Sequence, residues 1–419
     1  MPSGLRPRTF YQNAVWLLTA QGLAILTQLA WAKVIASHLG PGDLGVYTYA
    51  LALTQVLGLL SDFGLNTYLV RESARDRTKD GWLLSNAMSL KLAATVVSWA
   101  ALAAVLALSR PSPAAVRTVL FFALANLSQT LSAVFICLYR GRETMGYEAA
   151  SVVLSNLLNL SLCLAAMKLR LHLPWFGAAY AAASAGQLFF LWASYHRSQE
   201  WPGLRLDPSF LGSWLRTVTW LGLGGLFFII YDRGPQLILS HIDSDASVGL
   251  YAAVYRLMAA ALVPPVIIGN VLLPRLSSLM SSGRRSETYK VTLKLLSMLS
   301  AAGLSVSLAL FFGAGGIIAF FYGPEFVQAV PVLKAASWLT AAVFPGAMLM
   351  NLLIAQGGEK QYALFSGVEM AVGLAGCLLA VPRWGALGAA ASMVAAAFLV
   401  NGMLAAAMAR RWRTMRSDG

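Results

Sequence analysis

Twelve long apolar runs divide the chain, and they restrict its fold more than any other feature. A helix needs about 20 mostly apolar residues to cross the hydrocarbon core of a bilayer. The runs have this length and lack the alternation of barrel strands. They cover approximately residues 12–37, 43–64, 82–108, 114–138, 146–167, 175–195, 210–239, 249–273, 291–315, 327–355, 362–381 and 385–408. We therefore predict an all-α polytopic membrane protein with about 12 transmembrane helices.

The composition agrees with a lipid-facing surface. The chain is 58% hydrophobic and 11% charged, whereas soluble domains carry about 25% charged residues. The formal net charge is +14, but the basic residues flank the apolar runs instead of forming one polar domain, so we expect no nucleic-acid partner. The three cysteines lie inside apolar runs and the four histidines are isolated. These residues predict no metal site, no cofactor and no disulfide framework.

The basic residues also orient the chain. With the N-terminus inside the cell, 19 lysines and arginines fall on cytoplasmic segments, five fall on outer loops and seven lie within spans. Cytoplasmic loops of membrane proteins carry an excess of lysine and arginine. This asymmetry predicts that both termini are cytoplasmic.

The same connection is written twice in the sequence. Ser37–Leu51 joins the first two predicted spans and Ser240–Tyr255 joins the seventh and eighth. Both segments begin with Ser-His and reach a Gly-apolar-Tyr, with Gly45 and Gly249 separated by an offset of 204 residues. A match at one topological position in each half of the chain indicates an internal duplication.

A second repeat supports the duplication and gives the domain organisation. PWFGAAYAAAS at 174–184 and PRWGALGAAAS at 382–392 are identical at seven of 11 positions. We predict two pseudo-symmetric six-helix lobes, 1–198 and 210–419, joined by a cytoplasmic linker at 199–209. Six spans per lobe place both lobes in the membrane in the same direction. Parallel repeats of this kind are typical of transporters, with a central substrate cavity and alternating access.

Charged groups inside the spans are the candidate site residues, because an ionisable group in a membrane is costly unless it is paired or solvated. Arg233 and Arg256 lie about 12 Å below the outer loop, at 1.5 Å per helical residue. Arginine binds phosphate through two parallel hydrogen bonds, so a cationic cavity suits a diphosphate headgroup. The candidate substrate-binding residues are Lys33, Arg233, Arg256, Lys334 and Lys91.

Structural alternatives exist for each of these cations. Asp232 and Arg256 occupy matching depths on adjacent spans, so they are candidates for a buried ion pair. Such a pair leaves Arg233 freer, because successive helical residues point apart. Lys33 and Lys334 are placed to extend to the outer headgroups, and Lys91 to the cytoplasmic ones.

Three acids and two prolines complete the candidates. Asp62, Asp232 and Glu369 are predicted coupling residues, because a buried carboxylate can carry a proton; the alternative for Asp62 is a solvated helix end. Pro264 and Pro265 fall within the eighth span, where proline removes a helical hydrogen bond and produces a kink. We predict a gating role for them, with an ordinary structural kink as the alternative.

Several motifs resemble those of bacterial oligosaccharide flippases, the polysaccharide-export branch of the multidrug/oligosaccharidyl-lipid/polysaccharide exporter (MOP) superfamily. In the first half these are Leu39-Gly40-Pro41, Gly45-Val46-Tyr47, Asp62-Phe63-Gly64 and Arg71-Glu72, and in the second half the resemblance covers Tyr231–Leu257, Leu272–Leu279 and Phe321–Ser337.

The resemblance implies a substrate and a location. It implies a flippase that moves an undecaprenyl-diphosphate-linked oligosaccharide across the bacterial cytoplasmic membrane, for cell-surface polysaccharide biosynthesis. Membrane lipids are expected partners, and glycosyltransferases and a polymerase of the same pathway are further candidates. The related lipid II flippases usually have two additional spans, which argues against a peptidoglycan role.

Two other function classes compete with this interpretation. A multidrug exporter of the same superfamily would favour a carboxylate-lined cavity, but cations outnumber acids in these spans. A membrane-embedded polysaccharide polymerase or ligase would need a sizeable outer loop with arranged catalytic groups. The outer loops here are short, so we expect a transporter and not an enzyme.

Overall fold

The structure is a computed structural model that describes residues 7–197, 202–217, 219–265 and 285–417. Throughout these residues the regular secondary structure is helical and contains no strand. The α-helices are α1 Pro7–Gly58, α2 Leu65–Arg75, α3 Asp80–Ser109, α4 Pro113–Gly141, α5 Gly146–Lys168, α6 Leu173–His196, α7 Pro208–Thr217, α8 Thr219–Ile242, α9 Asp245–Ala261, α10 Arg285–Tyr322, α11 Ala329–Ala355 and α12 Glu359–Ser417. The all-α fold predicted from the sequence is confirmed.

Each of the 12 predicted spans coincides at least in part with one of these helices. α1 and α12 each contain two predicted spans, separated by a break at Gly40 (φ 68°) and Gly385 (φ 50°) respectively. Glycine tolerates this left-handed region because it has no Cβ atom. Among the described residues, seven helices are long and apolar enough to cross a membrane, or eight if the bent pair around His38 counts as one span. The chain is therefore a multi-pass membrane protein.

The described chain forms two compact units. The first comprises Met1–Leu39 and Tyr49–Gly222, and the second comprises Gly40–Thr48 and Leu223–Gly419. The chain thus leaves the first unit for nine residues and then returns to it. The linker and α7 belong to the first unit.

Ion pairs secure the polar ends of the helices in the first unit. Arg142 pairs with Asp80, whose side chain is 1% exposed, and Arg140 pairs with Glu148, whose side chain is 8% exposed. The Arg142 guanidinium also lies over the ring of Tyr195. These contacts join the starts of α3 and α5 to the end of α4.

The linker is fixed to the first unit by polar and aromatic contacts. The Trp82 indole N–H donates to Asp207, and the backbone N–H of Asp207 donates to the Asn86 side chain. Hydrogen bonds from Ser209, and then from Trp82, lower the pKa of the Asp207 carboxyl. Phe210 is fully buried and packs edge-on against Trp82. α7 is thereby anchored at its N-terminal turn.

In the second unit, α10, α11 and α12 pack around apolar side chains. One cluster contains Leu349, Leu352, Leu353, Leu404 and Met408, and a second contains Leu299, Phe344 and Met348. Glycines allow close approach: a Cβ atom at Gly303 would lie 2.7 Å from the carbonyl oxygen of Thr340. Small residues at such crossings are typical of membrane helices.

The paired prolines follow a helix end in the structure. α9 ends at Ala261, and Pro264 and Pro265 come three and four residues later. A proline ring clashes with the backbone of the preceding turn, and the residue before proline avoids the helical region. Residues 263–265 are helical again, so the helix is interrupted only by a turn at Leu262, and the gating role of Pro264 and Pro265 stays a prediction. The remainder of this predicted span, and the motif Leu272–Leu279, lie outside the described residues.

We expect Phe210→Ala to destabilise the first unit by about 3 kcal/mol, because it leaves a cavity under the linker. Thermal unfolding in detergent measures this change. Leu215→Ala on the same helix is the matched control, because its side chain is 57% exposed. Equal melting temperatures for the two variants would show that the linker is not anchored through Phe210.

Candidate functional site

A compact charged group lies where α8 packs against α9. The Tyr255 hydroxyl donates to the Asp232 carboxylate, with oxygen–oxygen distances of 2.9 and 2.8 Å. Arg233 Nε lies 3.3 Å from the same carboxylate. The Arg233 guanidinium carbon is also 5.1 Å from the centre of the Tyr255 ring. One aromatic residue therefore holds both members of an ion pair within the membrane-spanning helices.

This arrangement corrects one expectation from the sequence. Asp232 pairs with its neighbour Arg233, and not with Arg256. Successive helical positions point apart, but the long arginine side chain folds back over the Tyr255 ring and reaches the carboxylate. The expectation that Arg233 is the freer of the two arginines is wrong for the same reason.

Arg256 stacks on a different tyrosine of the second unit. Its guanidinium carbon lies 5.8 Å from the centre of the Tyr47 ring, within the range of a cation–π interaction. Tyr47 is fully buried and belongs to the nine-residue segment Gly40–Thr48. The positive charge of Arg256 therefore lies against the segment that the first half of the chain contributes to this unit.

Lys334 and Glu369 occupy other helices of the second unit. Lys334 is exposed on α11, with its Nζ atom 5.5 Å from the centre of the Phe311 ring. Glu369 is half-buried on α12, within hydrogen-bonding reach of Tyr231, whose hydroxyl donates to the carbonyl oxygen of Met393. Within the described residues Glu369 forms no ion pair.

The first unit contains a separate polar group around Lys91. Its Nζ atom lies 3.5 Å from Asp62 and 3.0 Å from the Asn66 side-chain oxygen. Lys91 is 1% exposed and Asp62 is 38% exposed. The expectation that Lys91 extends to the cytoplasmic headgroups is wrong, because its charge is buried against these partners. Lys33, also in this unit, is exposed on α1.

A break in the backbone creates the Lys91 site. Between Ser61 and Leu65 the helical direction changes through Phe63 (φ 27°) and Gly64 (φ 74°). The Asn66 backbone N–H then donates to Asp62, which satisfies a donor at the new helix start. Asp62 therefore serves a helix end, as its alternative role predicted, and also pairs with Lys91.

Sequence reasoning missed the polar partners of the charged residues. Tyr47 contacts Arg256, Tyr255 contacts Asp232 and Arg233, and Asn66 contacts Lys91. In the sequence, a tyrosine that binds a cation looks the same as a tyrosine that only packs in the core. Gln236 lies one turn beyond Asp232, is 1% exposed, and has no hydrogen-bond partner for its amide among the described residues. A glutamine inside a span was a signal that could have identified it.

The sequence matches a protein family over most of its length. The model of the family described as "Polysaccharide biosynthesis protein" matches residues 10–280. The chain belongs to this family. No curated protein matches the sequence at a significant level.

Solved structures of membrane transporters share the fold. An inward-facing multidrug resistance MATE family transporter of the MOP superfamily is 14% identical, with a TM-score of 0.77 over 93% of this chain and 95% of its own. The lipid II flippase MurJ in an inward closed conformation is 16% identical, with a TM-score of 0.76 over 94% and 87%. A MOP superfamily transporter from Pyrococcus furiosus, described as having a binding pocket of reverse polarity that suggests a different function, is 14% identical, with a TM-score of 0.62 over 96% and 94%.

Together, the family match and the shared fold confirm the resemblance stated from the motifs. The chain belongs to the polysaccharide biosynthesis family and has the fold of MOP-superfamily transporters. Identities of 12–16% among these structures establish the fold and leave the substrate open.

We expect Asp62→Asn to destabilise the first unit by about 2 kcal/mol, because it removes the acid that balances a buried ammonium group. Lys91→Met should cost less, and the double variant should recover most of the loss. Thermal unfolding of the purified protein in detergent measures all three. If Asp62→Asn has no effect, the Lys91 charge does not depend on this pair.

Proposed function

We propose that the protein is a flippase that moves an undecaprenyl-diphosphate-linked oligosaccharide across the bacterial cytoplasmic membrane by alternating access. The observation that carries this proposal is the set of cations held on aromatic rings inside the second unit. The family match supports a role in polysaccharide biosynthesis. The proposed activity is transport, without an enzymatic reaction.

The cations suit a diphosphate. Arg233 and Arg256 both stack on tyrosine rings, which orients a planar guanidinium while its edge carries the hydrogen-bond donors. Arg233 remains 21% exposed despite its ion pair. Lys334 adds a third positive charge, and Lys33 is a further candidate in the first unit, whereas Lys91 is buried and already paired with Asp62. A diphosphate would compensate these charges, whereas a neutral sugar would not.

The same charges argue against the export of cationic drugs, although the fold is shared with a multidrug transporter. Asp232 is already bound by Arg233 and Tyr255. Two acids of the second unit were predicted as site residues, Asp232 and Glu369. Because Asp232 is already bound, Glu369 is the one of the two that is available to attract a cation. The likeness to the Pyrococcus furiosus transporter supports the idea that pocket polarity varies on this fold.

For coupling we propose Glu369 as the first candidate. It is half-buried and forms no ion pair in the described part of the chain. A carboxylate in such a setting can exchange a proton or bind a small cation. Asp232 and Asp62 are weaker candidates, because each already has a basic partner.

The partners proposed for this function are the lipid-linked oligosaccharide, the membrane lipids, and the glycosyltransferases and polymerase of the same pathway. We propose no nucleic-acid partner. Both chain termini are proposed to lie in the cytoplasm, as the distribution of basic residues predicts.

We expect a strain without the gene to accumulate undecaprenyl-diphosphate oligosaccharide, as measured by mass spectrometry of lipid extracts. The wild-type gene should clear the lipid, while Arg233→Ala and Arg256→Ala should reduce clearance about tenfold or more, because each removes a charge-assisted phosphate contact. Arg383→Ala is the matched control, because that arginine is exposed beside Gly385.

Two results would contradict the proposal. Normal levels of lipid-linked sugar in the deletion strain, together with a new sensitivity to cationic dyes, would indicate a multidrug exporter. Equal clearance by Arg233→Ala, Arg256→Ala and Arg383→Ala would show that the stacked arginines do not bind the substrate.

A further inference from the structure

The two copies of the repeated connection pack against each other in the second unit. A Cβ atom added to Gly45 would overlap the backbone carbonyl of Asp245, and one added to Gly249 would overlap the backbone carbonyl of Pro41. In both places backbone therefore meets backbone without an intervening side chain. This contact requires glycine at each position.

The contact has the symmetry of a two-fold axis. Gly45 and Gly249 are repeat mates at an offset of 204, and Pro41 and Asp245 have the same offset. In a two-fold symmetric contact, if one residue contacts a second, then the repeat equivalent of the first contacts the repeat equivalent of the second. The paired turns obey this rule, so the duplicated sequence produces a self-complementary contact.

The segment that carries Gly45 is bounded by backbone breaks. The helix that contains it is kinked at Gly40, where φ is 68°. At its other end a short 3-10 turn and the left-handed Gly64 follow Gly58. Breaks at both ends are suited to let a helix change direction while its neighbours keep theirs.

The packing is opposed by like charges. Asp43 and Asp245 are both exposed and lie close enough to repel each other. The Glu325 carboxylate lies beside Gly40, 3.5 Å from the position of a Cβ atom there. Close glycine packing stabilises the contact, and the repulsion between Asp43 and Asp245 acts against it.

We propose that the paired turns Gly40–Thr48 and Asp245–Gly249 form a reversible latch on the outer side, which must separate in each transport cycle. The latch rests on the proposed function for its role in transport, but its opening is a property of the second unit that is measured without the substrate. The Arg256–Tyr47 contact lies on the same segment, two residues beyond Gly45.

Cysteine labelling from outside the cell tests the opening. Leu44 is fully buried in the closed latch, so Leu44→Cys should react slowly with a membrane-impermeant maleimide. Adding Gly45→Ala or Gly249→Ala should raise the rate about tenfold, equivalent to about 1.4 kcal/mol in the latch equilibrium. Gly42→Ala is the matched control, because a Cβ atom there meets nothing within 4 Å.

Two further variants separate opening from misfolding. Asp43→Asn and Asp245→Asn remove the repulsion and should lower the labelling rate by about twofold, since exposed charge pairs are worth little. The native Cys377 is fully buried in the same unit and should stay unlabelled throughout. If Gly45→Ala labels no faster than Gly42→Ala while Cys377 stays protected, the latch does not exist.

A disulfide tests whether separation is needed for transport. Asp43 and Ser247 are repeat mates, each midway between the two residues of its own turn that make the contact, so cysteines at both positions are tested for cross-linking under oxidation. We expect the oxidised protein to stop clearing lipid-linked oligosaccharide and the reduced protein to resume. Full clearance by the cross-linked protein would show that the turns are a static contact. If wild-type protein clears no such lipid, the proposed substrate is wrong, while the labelling rates still decide the latch.

Discussion

The absence of water in the hydrocarbon core is the constraint on which the rest of this structure depends. Backbone groups there need partners within their own segment, which accounts for a chain that is helical through its apolar runs. The same constraint acts on charged side chains. Each of the buried or half-buried charges Lys91, Asp232 and Arg233 lies against a specific polar or aromatic group. Because an unpaired charge in a membrane is energetically costly, charged residues inside the spans are the most informative positions in the sequence.

The two halves of the chain share a plan but use it for different chemistry. Lys91 and Lys294 are repeat mates at an offset of 203, yet Lys91 is buried beside Asp62 and Lys294 is exposed. Arg256 has no counterpart, since the mate at the offset of 204 is Ala52, which is fully buried. The two halves therefore share a helical framework and differ in the charged residues placed on it. The repeated glycines at 45 and 249 are a part of the plan that both halves retain.

The sequence was sufficient for the helices and insufficient for the side-chain partners. Apolar runs and glycine or proline breaks depend on local composition, so a helix could be predicted at each of the 12 runs. Which side chains pair with each other depends on the rotation of each helix about its axis and on its depth in the membrane. Both would have to be known to within a fraction of a helical turn. Asp232 illustrates this: equal depth suggested Arg256, but the Tyr255 ring and the fold of the Arg233 side chain gave a nearer partner. Lys91 was placed at the wrong surface for a related reason, because the break at Gly64 that brings Asn66 to it is not visible in an apolar pattern.

The position of Tyr47 connects the proposed substrate charge to the proposed latch. Arg256 stacks on Tyr47, and Tyr47 lies on the segment that Gly45 packs against Asp245. A diphosphate that draws the Arg256 guanidinium away would remove a stabilising contact from the closed segment. A ligand shifts a conformational equilibrium only by its different affinity for the two states. If both proposals hold, the exchange of Tyr47 for phosphate at Arg256 supplies that difference, so that substrate binding favours opening. The loss of a single cation–π contact, about 1–2 kcal/mol, would change the ratio of open to closed forms by about five- to thirtyfold.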